Sequence, residues 1–257
     1  MTHELPAGPP HCTVVDGCAT IMLNRPAHHN RLHREDLAAL QAHCQALAGQ
    51  PEVRVVLLTA SGPSFCAGYH LGDLDADAHS GPQRFEQTVD AIEALPMPTI
   101  CRLNGSVYGG ATDLALACDF RIGLDTMTLR MPAARLGLHY YPNGLRRYVS
   151  RLGLAAAKRM FLLADTLHAP ELLHIGYLDQ AASAAELDGR VQVLVDAIRA
   201  GAPLAVNGMK RSLDEIARGE FDLERLAARA ALCAGSEDLR EGQAAFAQKR
   251  PPRFTGR

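Results

Sequence analysis

The chain has 257 residues, 47% of them hydrophobic and 21% charged, which is the profile of a globular protein long enough to bury a sizeable core, in one domain or in one domain with a small appendage. A formal net charge of −2 supplies no basic field for nucleic acid or an anionic membrane surface. Trp is absent and aromatic residues are 5% of the chain, which argues against the stacking surfaces used for carbohydrate or single-stranded nucleic acid.

Taken in chain order, residues 1–11 hold three prolines and Glu4 and no charged-then-apolar signal pattern, and read as a loose leader. Residues 18–23 and 53–59 are short and rich in β-branched side chains, as strands are. Between them Leu37, Leu40, Cys44 and Leu47 recur at helical spacing, with Glu35 and Asp36 in the early turns where carboxylates suit the helix dipole. Gly49 and Pro51 end that helix. A second helix is expected over 84–95 and a third strand over 99–103. Strand–helix alternation of this kind predicts an α/β core with parallel strands.

The second half turns helical, with helices expected over 154–163, 169–175, 185–199, 203–217, 221–233 and 237–248. Ser183 and Glu186 have the spacing of a capping box. The layout divides into an α/β core over 1–200 and a helical C-terminal module over 201–257. No apolar run approaches the roughly 18 residues of a membrane-spanning helix. The seven cysteines are odd in number and scattered, with no C-x-x-C pair, and read as buried thiols of a cytoplasmic, reducing compartment. His28, His29 and His33 cluster without a second ligand group, so no metal site is expected.

Dinucleotide, P-loop, zinc-protease and nucleophile-elbow patterns are missing. Two other segments carry the chemistry. Phe65-Cys-Ala-Gly-Tyr-His-Leu71 follows the strand 53–59, and Asn104-Gly-Ser-Val-Tyr-Gly-Gly-Ala-Thr-Asp follows the strand 99–103. In each a strand runs into a glycine turn, where backbone approaches a ligand closely. Two backbone N–H groups converging from such turns make an oxyanion hole.

These segments resemble the crotonase (enoyl-CoA hydratase/isomerase) signatures F-C-A-G-x-D-L and N-G-x-x-x-G-G-G. Leu23-Asn-Arg-Pro26 with Asn30, Gly153 with Ala157 and Lys158, and Glu241-Gly242 through Phe246 to Lys249-Arg250 are similar to further family stretches, in order along nearly the whole chain. The resemblance implies a spiral of ββα units with a helical C-terminal trimerisation module, hence a homotrimer or a hexamer built as a dimer of trimers. It implies an acyl-CoA thioester as substrate, with coenzyme A part of that substrate, no prosthetic group, and a place in fatty acid metabolism. Carried over by position, Tyr69 and Gly110 would give the two backbone donors. Arg25, Ala27, His28, Cys66, Ala67, Gly68 and Lys249 would line the coenzyme A groove.

The departures from the family pattern bear on the reaction. Hydratases of the family use two glutamates; here the first position is Asp113 and the second is Ala133, which cannot move a proton. His70 replaces the aspartate of the first signature. The loop at His139, Tyr140 and Tyr141 is polar and aromatic where hydratases carry small residues, and offers other acids or bases. The reading favoured is a lyase or isomerase on an enoyl-CoA, with Asp113 moving the proton. Thioester or carbon–carbon hydrolysis and a non-catalytic acyl-CoA-binding protein are the alternatives, and a serine peptidase through Ser106 is a remote one.

Overall fold

The computed structural model describes residues 6–70, 72 and 81–257. Among the described residues nine strands form two sheets. The larger takes the order β1 (Gly8–Val15), β2 (Cys18–Asn24), β3 (Val55–Ala60), β4 (Thr99–Leu103), β6 (Phe120–Leu124) and β9 (Gln180–Ala182). β1 and β2 are antiparallel and every later pairing in this sheet is parallel. The smaller sheet joins β5 (Val107–Tyr108), β7 (Thr128–Arg130) and β8 (Thr166–His168). The strands of each sheet follow chain order while the connections alternate between the sheets, so the chain winds forward as a spiral. That is the ββα coil the resemblance implied.

The large sheet is covered on both faces, and the period-2 alternation of its strands sorts the side chains. Val56, Leu58, Cys101 and Leu103 face the main core with α1 (Arg34–Ala48) and α2 (Gly81–Glu93). Val55, Ile100 and Ile122 face the opposite way, onto Leu187, Val191 and Val195 of α6 (Leu187–Arg199). The other α-helices of the described residues are α3 (Ala111–Leu116), α4 (Pro142–Lys158), α5 (Ala169–His174), α7 (Pro203–Ala217), α8 (Leu223–Ala234) and α9 (Glu237–Gln248). The last three form the C-terminal module, tied to the core where Lys210 meets Asp119 at 2.6 Å. No described helix is long and apolar enough to cross a membrane.

Two expectations need correction. Residues 8–11, placed in a loose leader, belong to β1, with His11 paired to Met22, because Val14 and Val15 extend an edge strand that the prolines upstream tolerate. The helix expected from 154 begins at Pro142. Gly153, with φ 79° and ψ 161°, breaks it into two runs. A π-type turn over Arg159–Leu163 closes the second run.

Candidate functional site

Each of the two glycine turns is locked by backbone pairing. Tyr108 N donates to Cys66 O at 3.0 Å and Phe65 N to Ser106 O at 3.2 Å, laying the two segments side by side. Gly68 has φ +95°, and a Cβ there would stand 2.8 Å from Tyr108 O and 3.5 Å from Gly110 N. Only glycine lets these backbones approach so closely. Gly110 caps α3 at φ −57°, and its N–H has no backbone acceptor among the described residues. A Cβ on it would meet the Phe85 ring at 2.7 Å, so α2 presses on the turn directly.

The turn at 65–70 is also stitched to the loop before α1. Asn30, 2% exposed, receives Arg25 N at 2.8 Å and donates to Ser61 O at 2.7 Å and Ser64 O at 2.9 Å. The Cys66 thiol donates to Asn30 O at 2.9 Å, and burial pushes it up to about 12. Leu32 N bonds Gly68 O and His70 N bonds Leu32 O, both at 2.9 Å. The His70 ring lies against His33, with centroids 4.7 Å apart. Leu71 of the signature lies outside the described residues.

A cavity of about 240 Å³ opens between these turns. Ala67, Gly68, Tyr69, Gly109 and Gly110 of the two turns line it, with Phe85, Tyr108, Met131, Pro132 and Ala133. Leu136, Leu138, His139, Tyr140 and Tyr141 complete it. Phe85 stands 5.8 Å from the Tyr69 ring and 6.1 Å from the Tyr141 ring, centroid to centroid. Tyr140 and Tyr141 stack at 4.3 Å. His139 is exposed and its Nδ1 sits 2.9 Å from Tyr140 O.

Asp113, expected beside the developing charge, is placed differently. It is 0% exposed and does not line the cavity. Arg147 Nη1 donates to both of its oxygens at 2.9 Å, and the Tyr141 hydroxyl donates to Oδ2. Arg147 is itself 2% exposed and holds Asp90 at 2.7 Å and Glu93 at 2.9 Å as well. The physical reason is the cost of a buried carboxylate, which is met here by a guanidinium from α4. Burial raises the Asp113 carboxyl above its ordinary value, with Arg147 and Tyr141 opposing. Burial and the neighbouring Asp113 keep the Tyr141 hydroxyl protonated well above the usual phenol range.

The groove residues divide. Ala67 and Gly68 line the cavity, while Ala27 and His28 are exposed on the short helical turn Pro26–His28 outside it. Arg25 is committed to Asp36, at 3.0 Å, and to Glu35, which anchors the loop to α1. Lys249 is exposed at the end of α9, and within this chain it does not border the cavity. Ser106 Oγ accepts from Thr128 N at 3.0 Å and is turned toward β7. Sequence reasoning missed Phe85 and Met131 as cavity walls, and no local signal marks either one. Arg147 is the centre of the ionic cluster.

A spiral α/β core whose two glycine turns close over an apolar pocket is the crotonase architecture. The chain belongs to the enoyl-CoA hydratase/isomerase family, whose profile matches residues 13–257, and it is an enzyme of that family. It is 32% identical over 259 residues to an enoyl-CoA isomerase/hydratase of Mycosarcoma maydis, covering 94% of this chain and 93% of that one. It is 32% identical over 247 residues to a probable enoyl-CoA hydratase of Mycobacterium bovis, with 95% and 98% covered. The crystal structure of a putative enoyl-CoA hydratase/isomerase family protein from Hyphomonas neptunium superimposes with a TM-score of 0.91 at 26% identity, covering 97% and 98%.

Proposed function

We propose that the protein binds an enoyl-CoA with its thioester carbonyl between the N–H groups of Tyr69 and Gly110, and moves the double bond rather than hydrating it. The observation that carries this reading is the close approach of the two glycine turns, with Gly68 pressed to 3.5 Å of Gly110 N if given a Cβ. Removing a proton beside a thioester throws negative charge onto its oxygen. Backbone donors aimed at that charge lower the barrier by about 3–4 kcal/mol each. The apolar lining excludes water, which strengthens those hydrogen bonds.

The preference for isomerisation follows from proton bookkeeping. Adding water across a double bond takes one group to activate the water and one to protonate carbon. Ala133 occupies one of the two expected positions, and Asp113 at the other is enclosed by Arg147 and Tyr141. Shifting a double bond takes only one site that accepts and returns a proton. A relative named as both isomerase and hydratase is consistent with this division.

The test is a pair of rates on the purified protein. Conversion of a 3-enoyl-CoA to its 2-enoyl isomer should proceed readily. Hydration of crotonyl-CoA should run at least about 100-fold slower than in a two-glutamate family member. Hydration at the ordinary family rate would overturn the isomerase assignment. Release of free coenzyme A thiol, without isomerisation, would favour hydrolysis.

The coenzyme A arm would leave the cavity past Ala67 and Gly68. The C-terminal module exposes Met209, Leu213, Leu232 and Phe246, the last at 88%. An apolar surface of that kind supports burial against other copies of the chain, as a trimer or a dimer of trimers.

A further inference from the structure

Among the described residues one hydroxyl joins the ionic cluster behind the cavity to the residues that line it. Tyr141 lines the cavity, and its hydroxyl donates to Asp113 Oδ2. Asp113 lies one turn beyond Gly110 on the same backbone, with Asp113 N bonded to Gly110 O at 3.0 Å. Phe85 touches both ends of this arrangement, pressing on Gly110 and facing the Tyr141 ring at 6.1 Å. Tyr141 thus lines the same cavity as the proposed donors, while its hydroxyl reaches the carboxylate behind it.

We propose that Tyr141 is the catalytic residue that takes the substrate proton and that Asp113 is the positioning residue behind it, the two forming a one-step proton relay. The inference rests on the oxyanion reading given above. The relay balances as follows. The C–H bond beside the thioester breaks and its electron pair enters the enolate. The proton bonds to the Tyr141 oxygen while the original Tyr141 O–H bond breaks and its proton bonds to Asp113 Oδ2. Running the steps in reverse returns a proton to the acyl chain, at the original carbon or two carbons along. The tyrosine remains neutral throughout, as its raised hydroxyl requires.

Asp113 suits the receiving role because its guanidinium partner is shared. When Asp113 takes a proton, Arg147 still bridges Asp90 at 2.7 Å and Glu93 at 2.9 and 3.1 Å. The positive charge is therefore never stranded, which is the usual penalty for neutralising one member of a buried pair. Burial raising the Asp113 carboxyl favours the protonated state in the same direction. Tyr140, whose hydroxyl lies 3.4 Å from that of Tyr141, touches the relay without reaching Asp113.

The experiment is exchange of the protons beside the thioester of saturated butyryl-CoA with deuterium oxide, followed by mass spectrometry. This reaction needs the oxyanion hole and a proton acceptor but no double bond. Tyr141→Phe keeps the ring and leaves the Asp113–Arg147 pair intact. It should slow exchange by about 100-fold or more with unchanged butyryl-CoA affinity and unfolding temperature. Asp113→Asn should lose a similar factor, and the double variant should lose no more than either single one, because the two groups act as a unit. Exchange that persists in Tyr141→Phe but is abolished in Gly110→Pro would overturn the relay and leave the oxyanion hole standing. Absence of exchange in the parent protein with butyryl-CoA bound would overturn both.

Discussion

At the scale of single residues, Gly110 is the position where backbone and chemistry coincide. Its φ of −57° is the value proline adopts, so Gly110→Pro deletes the N–H with little change of direction. Both proline and alanine bring a Cβ toward Phe85, but alanine retains the donor. Turnover should fall at least about 100-fold further in Gly110→Pro than in Gly110→Ala, with unfolding temperatures compared alongside. Equal turnover in the two folded variants would remove Gly110 from the oxyanion hole. The sequence carried both glycine turns and their order in the chain, because a tight backbone approach selects glycine locally. It did not carry the setting of Asp113. Spacing along a helix says which face a carboxylate takes, but Arg147 arrives from 34 residues further along, and only the folded chain brings them together. Cys66 makes the same point from the opposite side. It stands in the signature turn, yet its buried thiol bonds Asn30 O and holds the loop in place.

At the scale of elements, the amphipathic helices were readable to within a few residues, and α7 and α9 match their expected bounds. The first half of α4 was not. Pro142, Asn143 and Gly144 look like turn residues, but Pro is welcome at a first helical position, and the side of Gly144 is filled by the Tyr140 ring. A periodic stretch followed by Gly153 then reads as beginning after the break. The pairing of α7 with α8 allows a prediction about pH. Arg229 donates to Glu215 at 2.9 and 2.6 Å and draws its carboxyl from the ordinary 4.5 down to about 2. A carboxyl more acidic in the folded state than in the unfolded one adds stability that is complete above about 4.5 and is lost as pH falls toward about 2. Arg229→Ala should therefore lower the unfolding temperature at neutral pH, and the gap to the parent should close across that window. A gap that stays constant down through the window would mean that Arg229 acts by packing alone.

At the scale of the whole molecule, the core and the C-terminal module differ in how they treat apolar side chains. The sheet sandwich buries Val55, Ile100 and Ile122 completely, whereas α7–α9 leave Leu213 at 66%, Leu232 at 61% and Phe246 at 88% exposed. An isolated subunit with that surface would tend to self-associate. Sedimentation equilibrium should give a mass near three or six times the 27.6 kDa of one chain, and a stable species of 27.6 kDa at micromolar concentration would refute the assembly. The forward spiral was legible from strand–helix alternation together with the family resemblance. The second sheet was not, because β5, β7 and β8 are only two or three residues long and carry too little pattern to stand out.

The shared guanidinium of Arg147 has a consequence for how the protein opens. Asp90 and Glu93 belong to α2, Asp113 to α3, and Arg147 itself to α4, so one side chain fastens three helices drawn from distant parts of the chain. Detachment of α4 alone would take the guanidinium from buried Asp113, a cost of about 3–5 kcal/mol, and detachment of α2 or α3 would strip Arg147 of part of its carboxylate shell. Their backbone amides should therefore lose protection in a single cooperative event, visible in native-state hydrogen exchange as one common opening free energy. Arg147→Met should split that event, so that amides of α2 exchange earlier than those of α3. Independent exchange of the three helices in the parent protein would show that the cluster is an assembly of separate contacts, with no cooperative clasp.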